Sequence, residues 1–152
     1  MVDFLVIGPF NTIRYKEVFP LIMDKKINLG YKRVSEFCDG IQANTIWFTT
    51  FTITRPGFLE LTSKYCDRKY EKFDNISAIN VDRTEDIPCD YYETMGVPIT
   101  FLEKWNPEQF DVVGALGNGS YNYGGVWKGS GGLQMTSING KCKFARILIR
   151  KR

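Results

Sequence analysis

Residues 74–110, DNISAINVDRTEDIPCDYYETMGVPITFLEKWNPEQF, follow neither a helical nor a strand period for long, so the rest of the chain must be built around them. The stretch is dense in Asp, Pro, Tyr and Gly. A connecting segment of this length either has a task or is disordered. Disorder is a poor fit, because Ile76, Ile79, Val81, Ile87, Val97, Ile99, Phe101, Leu102 and Trp105 supply too much apolar surface. The stretch is therefore expected to be ordered, irregular and packed on the body of the domain.

Strand signals lie on both sides of it. Phe4 to Ile7 is a continuous apolar run ended by Gly8-Pro9, the pattern of a buried strand in a parallel sheet. Asn11 or Thr12 can cap a helix running from Arg14 to Lys25, and Pro20 inside it predicts a kink or two short helical pieces. Ile27 to Tyr31 reads as a strand closed near Gly30, and Lys32 to Ala43 as loop. Thr45 to Thr54 is β-branched and aromatic throughout, stops at Arg55-Pro56-Gly57, and belongs in the centre of a sheet. Phe58 to Phe73 is polar and tyrosine-rich, with no element assigned beyond loop and one helical turn.

Downstream, Phe110 to Leu116 reads as a strand. Gly114 to Gly132 contains eight glycines, with Tyr121, Tyr123 and Trp127 among them. Met135 to Ile138 and Lys141 to Ile149, joined by Asn139-Gly140, form a hairpin, since both turn positions of a type I′ turn need positive φ. The expected class is α/β, with a mixed sheet, helices on one or both faces, and a C-terminal β-hairpin. By length it is a single domain, 1–152, with the sheet and the irregular stretch in 1–113 and the glycine-rich loop and basic hairpin in 114–152.

Charge is uneven. Lys141, Lys143, Arg146, Arg150, Lys151 and Arg152 place +6 in the last twelve residues, so the remaining 140 residues sum to −3. Such an end can contact phosphate, or it can solubilise a hydrophobic strand. Four cysteines lie at positions 38, 66, 89 and 142, without a C-x-x-C pair and in a chain without histidine, which excludes the usual structural zinc spacings. No signal-peptide pattern and no apolar run long enough to span a bilayer is present, so a reducing cytoplasm is the expected compartment.

Catalytic groups are scarce. Without histidine the commonest general base is absent, and Cys89 has no partner to activate it. Asp82, Glu85, Asp86 and Asp90 lack calcium-loop spacing and read as turn and cap residues, with no metal expected. The strand-plus-glycine run at 112–119 resembles a nucleotide loop only superficially, because the sequence after it makes a poor helix. Tyr121, Tyr123, Trp127 and Lys128 either stack on bases beside a phosphate contact or fold back onto the sheet.

INVDRTEDIPCDY followed by MGVPITFLEKWNPEQF resembles the C-terminal half of the EcoRI-type adenine-specific DNA methyltransferases. The resemblance extends to FLVIGPFNTIRYKEVFPLI, NTIWFTTFTI and GKCKFARILIRKR, so it covers almost the whole chain in the family's order. It implies a partial Rossmann-like methyltransferase sheet, S-adenosylmethionine as the family's methyl donor, double-stranded DNA as partner, and base flipping. The family's cofactor-binding glycine motif and its Asn-Pro-Pro-Phe catalytic motif do not occur in this sequence. Gly8-Pro9-Phe10 lacks the Asn and the second Pro, so that role is not carried over to it.

The resemblance places Trp47 and Phe48 in the strand whose aromatic side chain packs near a flipped base. Tyr121, Tyr123, Trp127, Lys128, Lys141, Lys143 and Arg146 fall in the target-recognition part and are the nucleic-acid-binding candidates. Strand alternation puts Lys141 and Lys143 on one face and Arg146 on the other. No catalytic residue and no cofactor bound by this chain alone are expected. The expected function is the DNA-binding portion of an adenine-N6 methyltransferase, inactive without a partner supplying the cofactor site. The alternative is a free-standing phage-type, anti-defence inhibitor or a protein- or nucleotide-binding module built on a methyltransferase remnant. In each case the N-terminal sheet edge is expected to meet a protein partner or a second copy.

Overall fold

The computed structural model describes the chain except residues 1, 16, 55, 117–120, 123–135 and 144, and gives the backbone alone for 31, 121 and 122. Two compact units divide it, residues 1–56 and 57–152. Strands dominate both. Among the described residues no helix is long and apolar enough to cross a membrane.

The first unit holds β1 (Leu5–Pro9), a 3-10 turn (Phe10–Arg14), α1 (Phe19–Met23), β2 (Asn28–Glu36) and β3 (Gln42–Thr49). The strands form an antiparallel sheet in the order β1-β3-β2, so the β-branched and aromatic run lies at the centre as expected, although the strand stops at Thr49 and not at Thr54. Ile46 and Phe48 of β3 are buried, as are Leu29, Phe10, Ile13, Phe19 and Ile22, and the 3-10 turn packs against both β3 and α1. The helix expected from Arg14 to Lys25 is reduced to the single turn of α1, and Asn11 and Thr12 lie inside the 3-10 turn instead of capping a helix. Pro20 sits in the first turn of α1, where its missing N–H leaves no bond unmade.

The first unit departs from expectation at three further places. The Phe4–Ile7 run is not a buried parallel strand. β1 is antiparallel to β3, its one strand neighbour in the sheet, and Leu5, Val6 and Ile7 remain 55%, 49% and 37% exposed. Residues 32–36 are strand rather than loop, because pairing of Arg33, Val34 and Glu36 with β3 satisfies a backbone whose side chains carry no clear period. Nor does Gly30 end the strand. A Cβ there would lie 3.0 Å from the Trp47 Cβ, so glycine admits the indole to the neighbouring strand.

In the second unit a five-stranded mixed sheet has the order β4-β5-β10-β6-β7, where β4 is Ile79–Asn80, β5 Met95–Pro98, β6 Phe110–Leu116, β7 Tyr121–Asn122 and β10 Arg146–Lys151. β4 and β5 are parallel and the other pairs antiparallel. The 74–110 stretch is ordered and buried, as its apolar content requires, but it supplies two of the five strands rather than lying on a finished body. The second unit has no α-helix of its own among the described residues, although helices on the sheet's faces were expected. Instead Phe73, Ile76, Ala78, Val113, Leu116, Ile138 and Leu148 form one core cluster, and Phe101 packs edge-on to Phe110 with ring centres 5.3 Å apart.

The predicted Asn-Gly turn is present, with φ of 51° at Asn139 and 72° at Gly140. It joins only β8 (Ser137–Ile138) and β9 (Lys141–Cys142). The longer hairpin arm expected to Ile149 is broken, because Ile147, Leu148 and Ile149 are buried between β5 and β6 in the main sheet.

Candidate nucleic-acid interface

Asp74 holds the β8–β9 hairpin in place. Its carboxylate accepts the Asn139 amide at 3.1 Å and the Gly140 amide at 2.9 Å, and its own N–H donates to the Ser137 carbonyl at 2.9 Å. The Gly140 bond leads in holding the Asp74 carboxyl below the ordinary aspartate value. Lys141 projects from this hairpin, exposed and with no hydrogen-bond or ion-pair partner among the described residues. Lys143 is half-buried, with Nζ 3.8 Å from Glu71 Oε2.

Arg146 is turned inward, only 8% exposed. Its Nε donates to Asn80 Oδ1 at 3.1 Å and its Nη2 to Asp82 Oδ1 at 3.0 Å, while Asn80 Nδ2 also donates to Asp82 Oδ1 at 2.9 Å. Burial pulls the guanidinium pKa down and Asp82 opposes that shift. The group thus ties the start of β10 to the residues around β4, and does not join Lys141 on the surface.

The rest of the basic end is similarly engaged. Arg150 Nε donates to Thr94 Oγ1 at 2.9 Å, Lys151 donates to the Cys89 carbonyl and lies 4.7 Å over the Tyr92 ring, and Arg152 Nε donates to Asp111 Oδ1 at 2.8 Å. Of the six cations, Lys143, Arg146 and Arg152 face carboxylates, Arg150 and Lys151 meet neutral groups and keep their charge, and Lys141 is exposed.

Trp47 and Phe48, neighbours on β3, point to opposite faces of the first unit's sheet. Phe48 lies in the core against Gly8, whereas Trp47 is exposed on the other face, directly across from Ile7. Of the glycine-rich stretch, the backbone of Tyr121 lies on β7 opposite Ala115. Tyr123, Trp127 and Lys128 lie outside the described residues. Residues 121 and 122, the next described residues after β6, return antiparallel along it as strand and not as the helix N-terminus that a strand-to-helix nucleotide loop uses. The four carboxylates at 82–90 are separately engaged: Asp82 by Arg146, Glu85 by Lys104 at 2.9 Å, Asp86 by Lys69 at 3.1 Å, and Asp90 by the Tyr65 amide at 2.7 Å. No metal-binding group of such residues occurs among the described residues.

A mixed, strand-dominated domain with a hairpin clamped beside its sheet, carrying the long idiosyncratic 74–110 segment, has a direct counterpart in sequence. The sequence model of the family described as adenine-specific methyltransferase EcoRI matches residues 39–152, and the chain belongs to that family. Its relatives include the type II methyltransferase M.EcoRI of Escherichia coli, 40% identical over 175 residues. That alignment takes in 98% of this chain and 50% of M.EcoRI. M.MpnI of Mycoplasma pneumoniae is 27% identical, with 99% of this chain and 57% of that protein aligned. M.MgeORF184P of Mycoplasma genitalium is also 27% identical, with 98% and 57% aligned. The chain thus spans about half the length of the curated relatives it matches. No solved structure matches it.

Proposed function

We propose that this chain is the C-terminal, DNA-contacting portion of a DNA adenine-N6 methyltransferase of the restriction-modification type, and that it needs a partner carrying the cofactor site to turn over. The observation that carries this reading is the 40% identity to M.EcoRI across nearly the whole chain, combined with half-coverage of that relative. The cofactor-binding glycine motif and the Asn-Pro-Pro-Phe motif, absent from this sequence, belong on this reading to the partner. S-adenosylmethionine supplies the methyl group there. The partner's sheet, completing a Rossmann-like whole, meets the exposed apolar side chains of β1, whose outer edge has no strand neighbour among the described residues.

On this reading the chain's own groups bind and position. Lys141 and Lys143 contact phosphate from the clamped hairpin, and Tyr121, Tyr123, Trp127 and Lys128 read or stack on the bases between its flanks. Trp47 stacks near the extruded adenine, and Arg146 fixes the start of β10, the strand that follows the hairpin. The setting is the cytoplasm, where DNA is accessible.

The test is fluorescence anisotropy of a labelled duplex titrated with the chain at low and at moderate salt, with and without S-adenosylmethionine. Salt-sensitive binding that S-adenosylmethionine does not alter is expected, because the binding is electrostatic and the cofactor site lies elsewhere. Absence of binding at low salt overturns the reading.

A further inference from the structure

Residues 63–72, SKYCDRKYEK, carry Lys64, Arg68, Lys69 and Lys72 with Tyr65 and Tyr70 between them, and the DNA-binding candidates so far do not include them. The segment is a fixed turn. The Lys69 and Tyr70 amides both donate to the Cys66 carbonyl, at 2.9 and 3.2 Å. Tyr65 N–H donates to Asp90, Tyr70 hydroxyl to the Asp86 carbonyl at 2.7 Å, and Cys89 N–H to the Ser63 carbonyl at 2.8 Å. The Tyr65 ring lies between those of Tyr70 and Tyr91, at 5.8 and 4.6 Å between centres. A turn pinned this way presents its side chains without a backbone ordering cost at the moment of binding.

It also adjoins the β8–β9 hairpin. An open cleft of about 420 Å³ is lined jointly by Asp67, Tyr70, Glu71, Lys72, Ile138 and Asn139, and the Lys143–Glu71 pair crosses between the two elements. Turn and hairpin together hold six cations, Lys64, Arg68, Lys69, Lys72, Lys141 and Lys143, beside five carboxylates. Every one of those carboxylates is engaged within the surface. Asp67 takes Tyr65 hydroxyl and Lys72, Glu71 takes Lys143, Asp86 takes Lys69, Asp90 takes the Tyr65 amide, and Asp74 takes the Asn139 and Gly140 amides. Three exposed cations, Lys64, Arg68 and Lys141, are left with no partner among the described residues.

We propose that the 64–72 turn and the β8–β9 hairpin form one surface that tracks the phosphates of duplex DNA, with Lys64, Arg68 and Lys141 as its contacting cations. This rests on the DNA-binding reading above and names where the duplex lies. Flexible cations on a rigid base suit phosphate, which needs charge at the right spacing and no base-specific geometry. The surface sets register and affinity, and sequence is read elsewhere.

The test measures duplex binding by anisotropy for the wild-type chain, for Lys64→Gln/Arg68→Gln, for Lys141→Gln, and for Lys25→Gln/Lys32→Gln as an equal charge change in the first unit. Losing two phosphate contacts lowers the slope of log affinity against log salt by about 1.8, so the fall in affinity between about 50 and about 200 mM salt shrinks about tenfold. Lys141→Gln lowers that slope by about 0.9, and the first-unit pair leaves it unchanged. Salt-sensitive wild-type binding with Lys64→Gln/Arg68→Gln matching the wild type, or matching the first-unit pair, overturns this surface and leaves DNA binding standing. A wild-type chain that binds no duplex at low salt overturns both.

Discussion

β1 and β10 carry nearly the same apolar run, LVI at 5–7 in one and ILI at 147–149 in the other, and meet opposite environments. In β10, Ile147, Leu148 and Ile149 are almost wholly inaccessible because β5 and β6 flank the strand and both of its faces are covered. In β1, Leu5, Val6 and Ile7 pair only with β3 and stay open to solvent. A continuous apolar run thus reports that a strand can be buried on both faces, and says nothing of what is there to bury it. The exposed set on β1 is surface of the kind that an interface covers.

Large-to-small substitution separates the two strands most sharply. Leu148→Ala opens a cavity in the cluster formed with Phe73, Ile76, Ala78, Val113, Leu116 and Ile138, and is expected to cost about 2–5 kcal/mol in urea denaturation. Leu5→Ala removes side-chain surface that is already wet and is expected to change stability by less than about 0.5 kcal/mol. Equal losses at the two sites would mean that β1 is covered in solution by something the isolated chain supplies.

The next difference concerns how each strand begins. β10 enters the sheet at Arg146, whose guanidinium is buried against Asn80 and Asp82, whereas β1 is anchored by hydroxyls: Phe4 N–H donates to Thr50 Oγ1 at 3.0 Å and Thr49 Oγ1 donates to the Phe4 carbonyl at 2.8 Å. Breaking a buried ion pair from one side costs about 3–5 kcal/mol when both partners are dry. Asp82 is largely exposed, so Asp82→Asn is expected to cost only about 1–2 kcal/mol. An Arg146→Met/Asp82→Asn double variant more stable than Asp82→Asn alone would confirm that the uncompensated guanidinium is what that loss measures. A double variant less stable than both single variants would show that the Arg146 stem and its bond to Asn80 matter more than its charge.

What could be read from sequence was whatever local chemistry decides. The β-branched run around Thr45–Thr49, the strand Phe110–Leu116 and the Asn139-Gly140 turn all carry their reason within a few residues. The short strands β4 and β5 were hidden inside the 74–110 stretch because their partners are remote. Met95 pairs with Ile79 on one side and with Ile149 on the other, and neither partner leaves a mark on the local period. Arg146 turns away from Lys141, but not by alternation along one strand, since β9 and β10 lie in separate sheets, and Asp82, its partner 64 residues upstream, could not be inferred from spacing. Lys64 and Arg68 were missed for the opposite reason. Their segment has no period at all, and its order comes from Asp86, Cys89 and Asp90 across the fold.

The smallest expected effect is in acid, and it divides the same two regions. Asp74 clamps the β8–β9 turn as a carboxylate, and its bonds to the Gly140 and Asn139 amides hold its pKa below the ordinary value. For a carboxyl depressed by folding, the stabilisation is complete above the unfolded-state pKa and disappears as pH falls through the folded-state pKa. The hairpin should therefore stay docked through the ordinary aspartate range and loosen only below it. Amide proton resonances of Asn139 and Gly140, followed by NMR as pH falls, should report that midpoint directly. Asp74→Asn should abolish the titration while the amides remain bonded less strongly. The Thr49 hydroxyl that donates to the Phe4 carbonyl does not titrate in this range, so it adds no such step to the β1 anchor under the same acid. A midpoint at or above the ordinary aspartate value would show that the turn stands without its clamp, and that its φ angles at Asn139 and Gly140 alone present Lys141.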